Sequence, residues 1–374
     1  MDSKIILFFI FCITVFILPH SNQKLIEKYK EIDLSRSKNV SYRHERFFPF
    51  YSVVRFENSV CTGTCLLTGT CYTRKECKTY GGRPSGTCAK GLGVCCIVQK
   101  SCGGSSHVNN TYFQNPGFPN PYTGSSRCTV TITRCDPSIC QLRLDFLSLD
   151  LAQPNIEGVC DTESLVVTGG ASRVPVICGE NSGQHVYVDF DGNEPIQLTI
   201  RTNASVNTMA RSWNIKATQI ACDCPTKAPS GCLMYYTEAS GTVKSFNYGQ
   251  STGVTRQLAN NNYGVCIEMA PNNCGIQWTA TQMSFFVSGG DITLGPSIGT
   301  DLCNSDYVII PNAMIQANDV VVAGDRICGS GPFTAISNSK PFALYVITND
   351  EEQQSGDMSN LGFSLDYTQI PCSD

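Results

Sequence analysis

Twenty-two cysteines in 374 residues, against four histidines, restrict this chain more than any other feature. In a reducing cytosol so many thiols need metal or continual reduction. Zinc sites mix Cys with His or repeat tight C-x-x-C pairs, and the chain has neither pattern. The better reading is a disulfide framework made in an oxidising compartment. The N-terminus supplies a route: Asp2 and Lys4 precede an apolar run of 14 residues, Ile5–Leu18, followed by Pro19-His20-Ser21-Asn22. A bilayer span takes about 20 apolar residues. A cleaved signal peptide over residues 1–22 is therefore expected, and a secreted, extracellular location. No later segment is apolar enough to span, and the terminal QIPCSD lacks the tail of a lipid-anchor signal. Losing Cys12 with the signal leaves 21 cysteines, an odd number.

Residues 23–59 hold no cysteine and little periodicity and read as a linker or pro-segment. Arg43-His44-Glu45-Arg46 has the R-x-x-R form of a processing site at Arg46, or is a solvated charge cluster. Residues 60–97 pack seven cysteines with several glycines and few large apolar residues. A segment that small holds its shape by disulfides rather than by a core.

Beyond Cys102 the texture changes to short alternating runs, such as Gln141-Leu142-Arg143-Leu144-Asp145-Phe146 and Val186-Tyr187-Val188-Asp189-Phe190. Period-two alternation between Gly, Pro, Asn and Ser turns predicts antiparallel sandwiches. The pattern occurs twice. WNIKATQIAC ends at Cys222 and FSLDYTQIPC at Cys372, and VICG at Cys178 answers RICG at Cys328. Six cysteines recur in order: Cys102, Cys128, Cys140, Cys160, Cys178, Cys222 against Cys232, Cys266, Cys274, Cys303, Cys328, Cys372. Two copies of one fold are expected, over 102–222 and 232–372, joined by a stretch with two prolines at 223–231.

The residues then resemble the CUB family. Cys102-Gly103-Gly104, the NPGFPNPYTG run at 115–124 and Cys128 are similar to that family's opening. Cys303-Asn304-Ser305-Asp306-Tyr307-Val308 is similar to its C-x-x-D-Y-V. The first copy departs from it, with Glu163 at the Asp position. The 60–97 segment, ending in Cys95-Cys96, resembles the clip-like modules of arthropod proteins. The resemblance implies an all-β chain: two tandem CUB-like antiparallel β-sandwiches preceded by a small disulfide-rich module, as in secreted arthropod CUB-domain proteins. It also implies the pairs Cys102–Cys128, Cys160–Cys178, Cys232–Cys266 and Cys303–Cys328. The repeat adds Cys140–Cys222 and Cys274–Cys372. Cys61, Cys71, Cys77, Cys88, Cys95 and Cys96 fit a clip-like six, leaving Cys65, Cys135 and Cys224. Cys135 and Cys224 either bond to each other, with Cys65 free to link a partner, or pairing is reshuffled inside the module.

Many CUB domains bind calcium through a Glu, the Asp of C-x-x-D and a later Asp, since hard cations want clustered oxygens. In the first copy these positions read Ala152, Glu163 and Thr202-Asn203, so no site is expected there. In the second, Asp306 and Asp350 are the candidate ligands, with Asp291 a poorer match for the Glu; the alternative is solvated loop carboxylates. Asn39, Asn109 and Asn203 begin glycan sequons.

Catalysis is not expected. No G-D-S-G-G, G-x-S-x-G, H-E-x-x-H or P-loop motif is present, and only His107 and His185 fall in folded regions. A net charge of −4 without a basic stripe argues against nucleic acid or an anionic membrane as partner. The expected function is a secreted, non-catalytic recognition protein for extracellular proteins or glycans. Alternatives are a non-catalytic regulator of a serine-protease cascade, suggested by the clip-like module, and a venom or salivary component.

Overall fold

The computed structural model describes residues 55–203, 211–249, 256–287, 295–317, 319–350 and 360–372. The expected signal peptide, Asn39 and Arg46 lie outside them, as does the side chain of Cys65.

The first elements are β1 (Val60–Thr62), β2 (Thr68–Tyr72), α1 (Arg74–Thr79), β3 (Arg83–Cys88) and β4 (Gly93–Lys100). Helix α1 is a turn and a half long. Its N-terminus is held by Thr73, whose hydroxyl accepts from Glu76 N while the Glu76 carboxylate accepts from Thr73 N. Disulfides supply what the small core cannot: Cys61–Cys95, Cys71–Cys88 and Cys77–Cys96. Each contributes on the order of 2–4 kcal/mol by restricting the unfolded chain.

The first sandwich contains β5 (Gly104–Ser106), β6 (Thr111–Gln114), β7 (Arg127–Ile132), β8 (Ile139–Asp150), β9 (Ser164–Thr168), β10 (His185–Asp189), β11 (Ile196–Arg201) and β12 (Ser212–Ala221). One sheet runs β6-β12-β8-β10 and the other β5-β7-β11-β9. Alternation along β12 buries Trp213, Ile215 and Ala217 against Phe113, Leu144 and Phe146. The sandwich is stapled by Cys102–Cys128, Cys140–Cys222 and Cys160–Cys178.

The cysteine-rich module is not a loose appendage. Its strand β4 pairs in parallel with β6, Val98 facing Thr111 and Lys100 facing Phe113, so module and sandwich share one sheet. Tyr112 fixes the register, its hydroxyl donating to Thr68 O at 2.9 Å and accepting from Thr68 N at 3.0 Å.

The second sandwich contains β13 (Cys232–Tyr236), β14 (Ser240–Lys244), β15 (Asn262–Ile267), β16 (Asn273–Ala280), β17 (Phe285–Val287), β18 (Pro296–Ile298), β19 (Tyr307–Ala317), β20 (Val320–Ser330), β21 (Phe333–Ser337), β22 (Phe342–Ile347) and β23 (Gly362–Pro371). The path β14-β23-β16-β21 repeats β6-β12-β8-β10, and β13-β15-β22-β19 repeats β5-β7-β11-β9. In both copies the opening pair is parallel. The second copy adds β17, β18 and β20, the last forming a ribbon with β19. Cys232–Cys266, Cys274–Cys372 and Cys303–Cys328 staple it.

Cys135 and Cys224 are both free thiols; the bond between them that the sequence left open is not formed. Cys135 is exposed, while Cys224 is half-buried with Sγ 3.2 Å from the Thr226 hydroxyl. Alkylation of the native protein should therefore modify Cys135 first and Cys224 more slowly, as read by peptide mapping. Protection of both until reduction would contradict this arrangement.

Candidate functional site

The family's calcium positions in the first sandwich do converge, but around an arginine. Glu163 is buried at the start of the turn into β9, and its Oε2 accepts from Ala152 N at 2.9 Å. Its Oε1 pairs with Nε of Arg211, itself 1% exposed, and accepts from Asn203 N at 3.4 Å. Arg211 also donates through Nη1 to Gly124 O at 3.2 Å and through Nη2 to Asn203 O at 2.6 Å. One guanidinium thus ties together the loops carrying residues 124, 163 and 203. A buried carboxylate whose oxygens are taken by two main-chain N–H groups and a fixed cation does not fit calcium, which needs several free oxygens.

In the second sandwich Asp306 is buried, Oδ1 accepting from Asn349 N at 2.8 Å and Oδ2 from Gln257 Nε2 at 3.2 Å. Asp350 is exposed. Among the described residues no three or more His, Cys, Asp or Glu side chains gather as a metal site. Asp291 and residues 351–359 lie outside the described residues.

Asn203 is exposed, and Asn109 is half-buried with Oδ1 accepting from Asn110 N and Gln219 N, both at 2.8 Å. His107 is exposed and meets the Tyr80 ring edge-on at the module seam. His185 lies in the joint between the sandwiches.

That joint is held by a network of side-chain hydrogen bonds. Gln141 of β8 clamps the connecting segment with both ends of its amide, Oε1 accepting from Ala228 N at 2.8 Å and Nε2 donating to Ala228 O at 3.1 Å. Gln184 donates to Ser245 O at 2.9 Å. Asn247, buried and at φ +59°, works as a hub. Its Oδ1 accepts from Glu180 N at 3.0 Å, and its Nδ2 donates to Gln153 Oε1 at 2.9 Å and to Arg256 O at 2.8 Å. Its own N–H donates to Asn181 Oδ1 at 2.8 Å. Gly179, in the VICG motif, leaves room for it: a Cβ there would sit 1.9 Å from Asn247 Oδ1. Sequence reasoning missed Asn247, Gln141 and Arg211, because none carries a motif and each acts across a distance the chain does not show.

His185 is buried under Tyr187 of its own strand and Tyr235 and Tyr236 of β13, Nε2 lying 2.9 Å from Tyr235 O. Burial, helped by the Arg143 guanidinium of β8, pushes its pKa down to about 4; the Tyr235 carbonyl and Asp145 oppose this. The folded value lies below the unfolded value of about 6.5, so the unfolded chain takes up the proton first. His185's contribution is whole above about pH 6.5 and is lost as pH falls towards 4, a loss of about 3 kcal/mol. Denaturant titrations from pH 7 to 4 should show that loss in the native protein and a flatter profile in His185→Gln.

Two sandwiches of one topology, each closed by three equivalent staples, define a tandem pair of one domain type. The chain is a CUB-domain protein: the family model for the CUB domain matches residues 102–216, and that for the animal CUB domain matches residues 229–370. It is similar to cubilin of Canis lupus familiaris, 26% identical over 152 residues, covering 39% of this chain and 4% of cubilin. It is also similar to the cubilin homolog of Drosophila melanogaster, 30% identical over 113 residues, covering 29% of this chain and 3% of that protein. The chain thus spans only a few per cent of these relatives' length. Among solved structures it is similar to the CUB1-EGF-CUB2 domains of rat MASP-1, with 16% identity, 73% of this chain and 99% of that chain covered, and a TM-score of 0.26.

Proposed function

We propose that the protein is a secreted, non-catalytic recognition protein whose two CUB domains act as one rigid body towards an extracellular protein. The observation that carries this is the joint: CUB domains serve in general as extracellular protein-binding modules, and here two are held together by side chains of both. A rigid pair loses little entropy on binding, which favours a surface reaching across both domains. No helix among the described residues is long and apolar enough to cross a membrane. Calcium at Asp306 and Asp350, glycans at Asn39, Asn109 and Asn203, and a mixed disulfide through Cys65 belong to the same reading, as do clip-like character for residues 60–97 and domain limits at 102–222 and 232–372.

The test is expression of the whole chain with its own leader, followed by cross-linking of the purified secreted protein in the extracellular fluid of the tissue that makes it. The expected result is release to the medium with an N-terminus near residue 23. A saturable protein partner should be lost when the disulfides are reduced. Retention inside the cell, or no partner above the reduced control, would overturn the reading.

A further inference from the structure

Between the two CUB domains two adjoining cavities open to solvent. One, of about 300 Å3, is walled by Val159, Val174, Pro175 and Val176 of the first domain and by Ala259 and Asn260 of the second. The other, of about 440 Å3, lies between Ser172 and Asp189 on one side and Leu233, Tyr263 and Tyr345 on the other. Arg173 and Asn262 line both, so they form one cleft with Arg173 at its middle.

The chemistry of this cleft is specific. Arg173 is exposed and makes no ion pair or side-chain hydrogen bond among the described residues. The nearby carboxylate is occupied, Asp189 Oδ1 accepting from Gln141 Nε2 at 2.8 Å and Oδ2 from the Ser172 hydroxyl at 3.2 Å. The guanidinium therefore offers its fork of donors to something outside the chain. The walls beside it are apolar yet wet: Val176 is 46% exposed and Tyr345 37%. Arg173–Val176 belongs to no strand, and the main-chain N–H groups of Arg173, Val174 and Val176 donate to no other main-chain group among the described residues. An extended segment laid along it would find unpaired main-chain donors, a hydrophobic wall and one cation.

We propose that this cleft binds an extended acidic peptide segment of a protein partner, with an Asp or Glu carboxylate on Arg173 and a neighbouring apolar side chain against Val174, Pro175 and Val176. The occupant follows from charge complementarity and from the run of free N–H groups, which suit a peptide main chain. The proposal rests on the recognition reading above and names the partner's chemistry.

The test uses the whole secreted chain, immobilised, and a displayed library of random twelve-residue peptides. Expected are enriched sequences that place an acidic residue next to an apolar one. A synthetic copy of the best of them should bind Arg173→Glu at least tenfold more weakly than the native protein. Lys75→Glu, a charge reversal at an exposed position of α1 in the cysteine-rich module, which joins the sheet at its β6 edge, opposite β10, should bind as native does. Because Arg173 is exposed, Arg173→Glu should melt with the native protein. Enrichment without acidic residues, no enrichment at all, or equal binding to Arg173→Glu would overturn the proposal. So would retention of heparin by the native protein and not by Arg173→Glu when no acidic peptide is selected, since the ligand would then be a sulfated polysaccharide. If the cross-linked partner is captured equally by native and Arg173→Glu proteins, the cleft is excluded while recognition stands. If the native protein captures no partner, recognition itself fails.

Discussion

Replacing Arg211 with methionine should cost the protein about 3–5 kcal/mol, because Glu163 would be left buried without its cation. The figure is large for a single substitution since the desolvation of a carboxylate is expensive and only paired groups offset it. Glu163 would keep the Ala152 N–H but lose the guanidinium that joins it to the loops at Gly124 and Asn203. Urea unfolding of native and Arg211→Met chains measures the loss. The double variant Glu163→Leu with Arg211→Met is the control. Apolar replacement of both partners of a buried pair is often neutral or better, so it should recover most of the stability. An Arg211→Met protein as stable as the native one would mean that the pair contributes nothing.

Asn247→Ala should destabilise by about 3 kcal/mol, with an effect confined to the joint. The change leaves the part-buried Glu180 N–H and the buried Arg256 carbonyl without partners, and an unmade buried bond costs about 1–3 kcal/mol. It also puts alanine at φ +59°, a backbone conformation that asparagine tolerates better. Each sandwich keeps its own staples and core, so both should stay folded while the pair loosens. Limited proteolysis should then cut within residues 223–231, which Gln141 protects in the native chain. Small-angle scattering should show a wider distribution of shapes. Unchanged protease resistance would show that Asn247 is not the hub.

The sandwiches themselves were legible in the sequence for a physical reason. Period-two burial writes itself into residues such as Val186, Val188, Leu142 and Leu144, all of which lie in the core. Repeated cysteine order reports the repeat because a staple fixes both position and topology. The lack of a side-chain oxygen at Ala152 was legible too. What takes its place was not: Arg211 precedes a strand by one residue and reads as a surface cation until the fold lays it on Glu163. The joint was likewise hidden. Residues 223–231 read as a Pro-marked linker, yet Ala228 is fully buried and bonded at both main-chain groups. Nor could the sequence choose among the 15 connectivities open to six module cysteines. Likewise, nothing in the 93–114 stretch announces that β4 continues the sandwich sheet, because parallel pairing leaves no turn signature between its partners.

Each sandwich places its final strand in the interior of a sheet: β12 lies between β6 and β8, and β23 between β14 and β16. A chain made from its N-terminus inward therefore carries each domain as an open, two-part sheet until its last strand arrives. Domains generally fold as units in the order of synthesis, and here neither unit can close early. The staples Cys140–Cys222 and Cys274–Cys372, with separations of 82 and 98 residues, wait for the same event. A message truncated before Gly362 would release an intact first domain attached to a second with a gap in its core. On the secreted reading proposed above, cells expressing that product should hold it back from the medium while releasing the full chain.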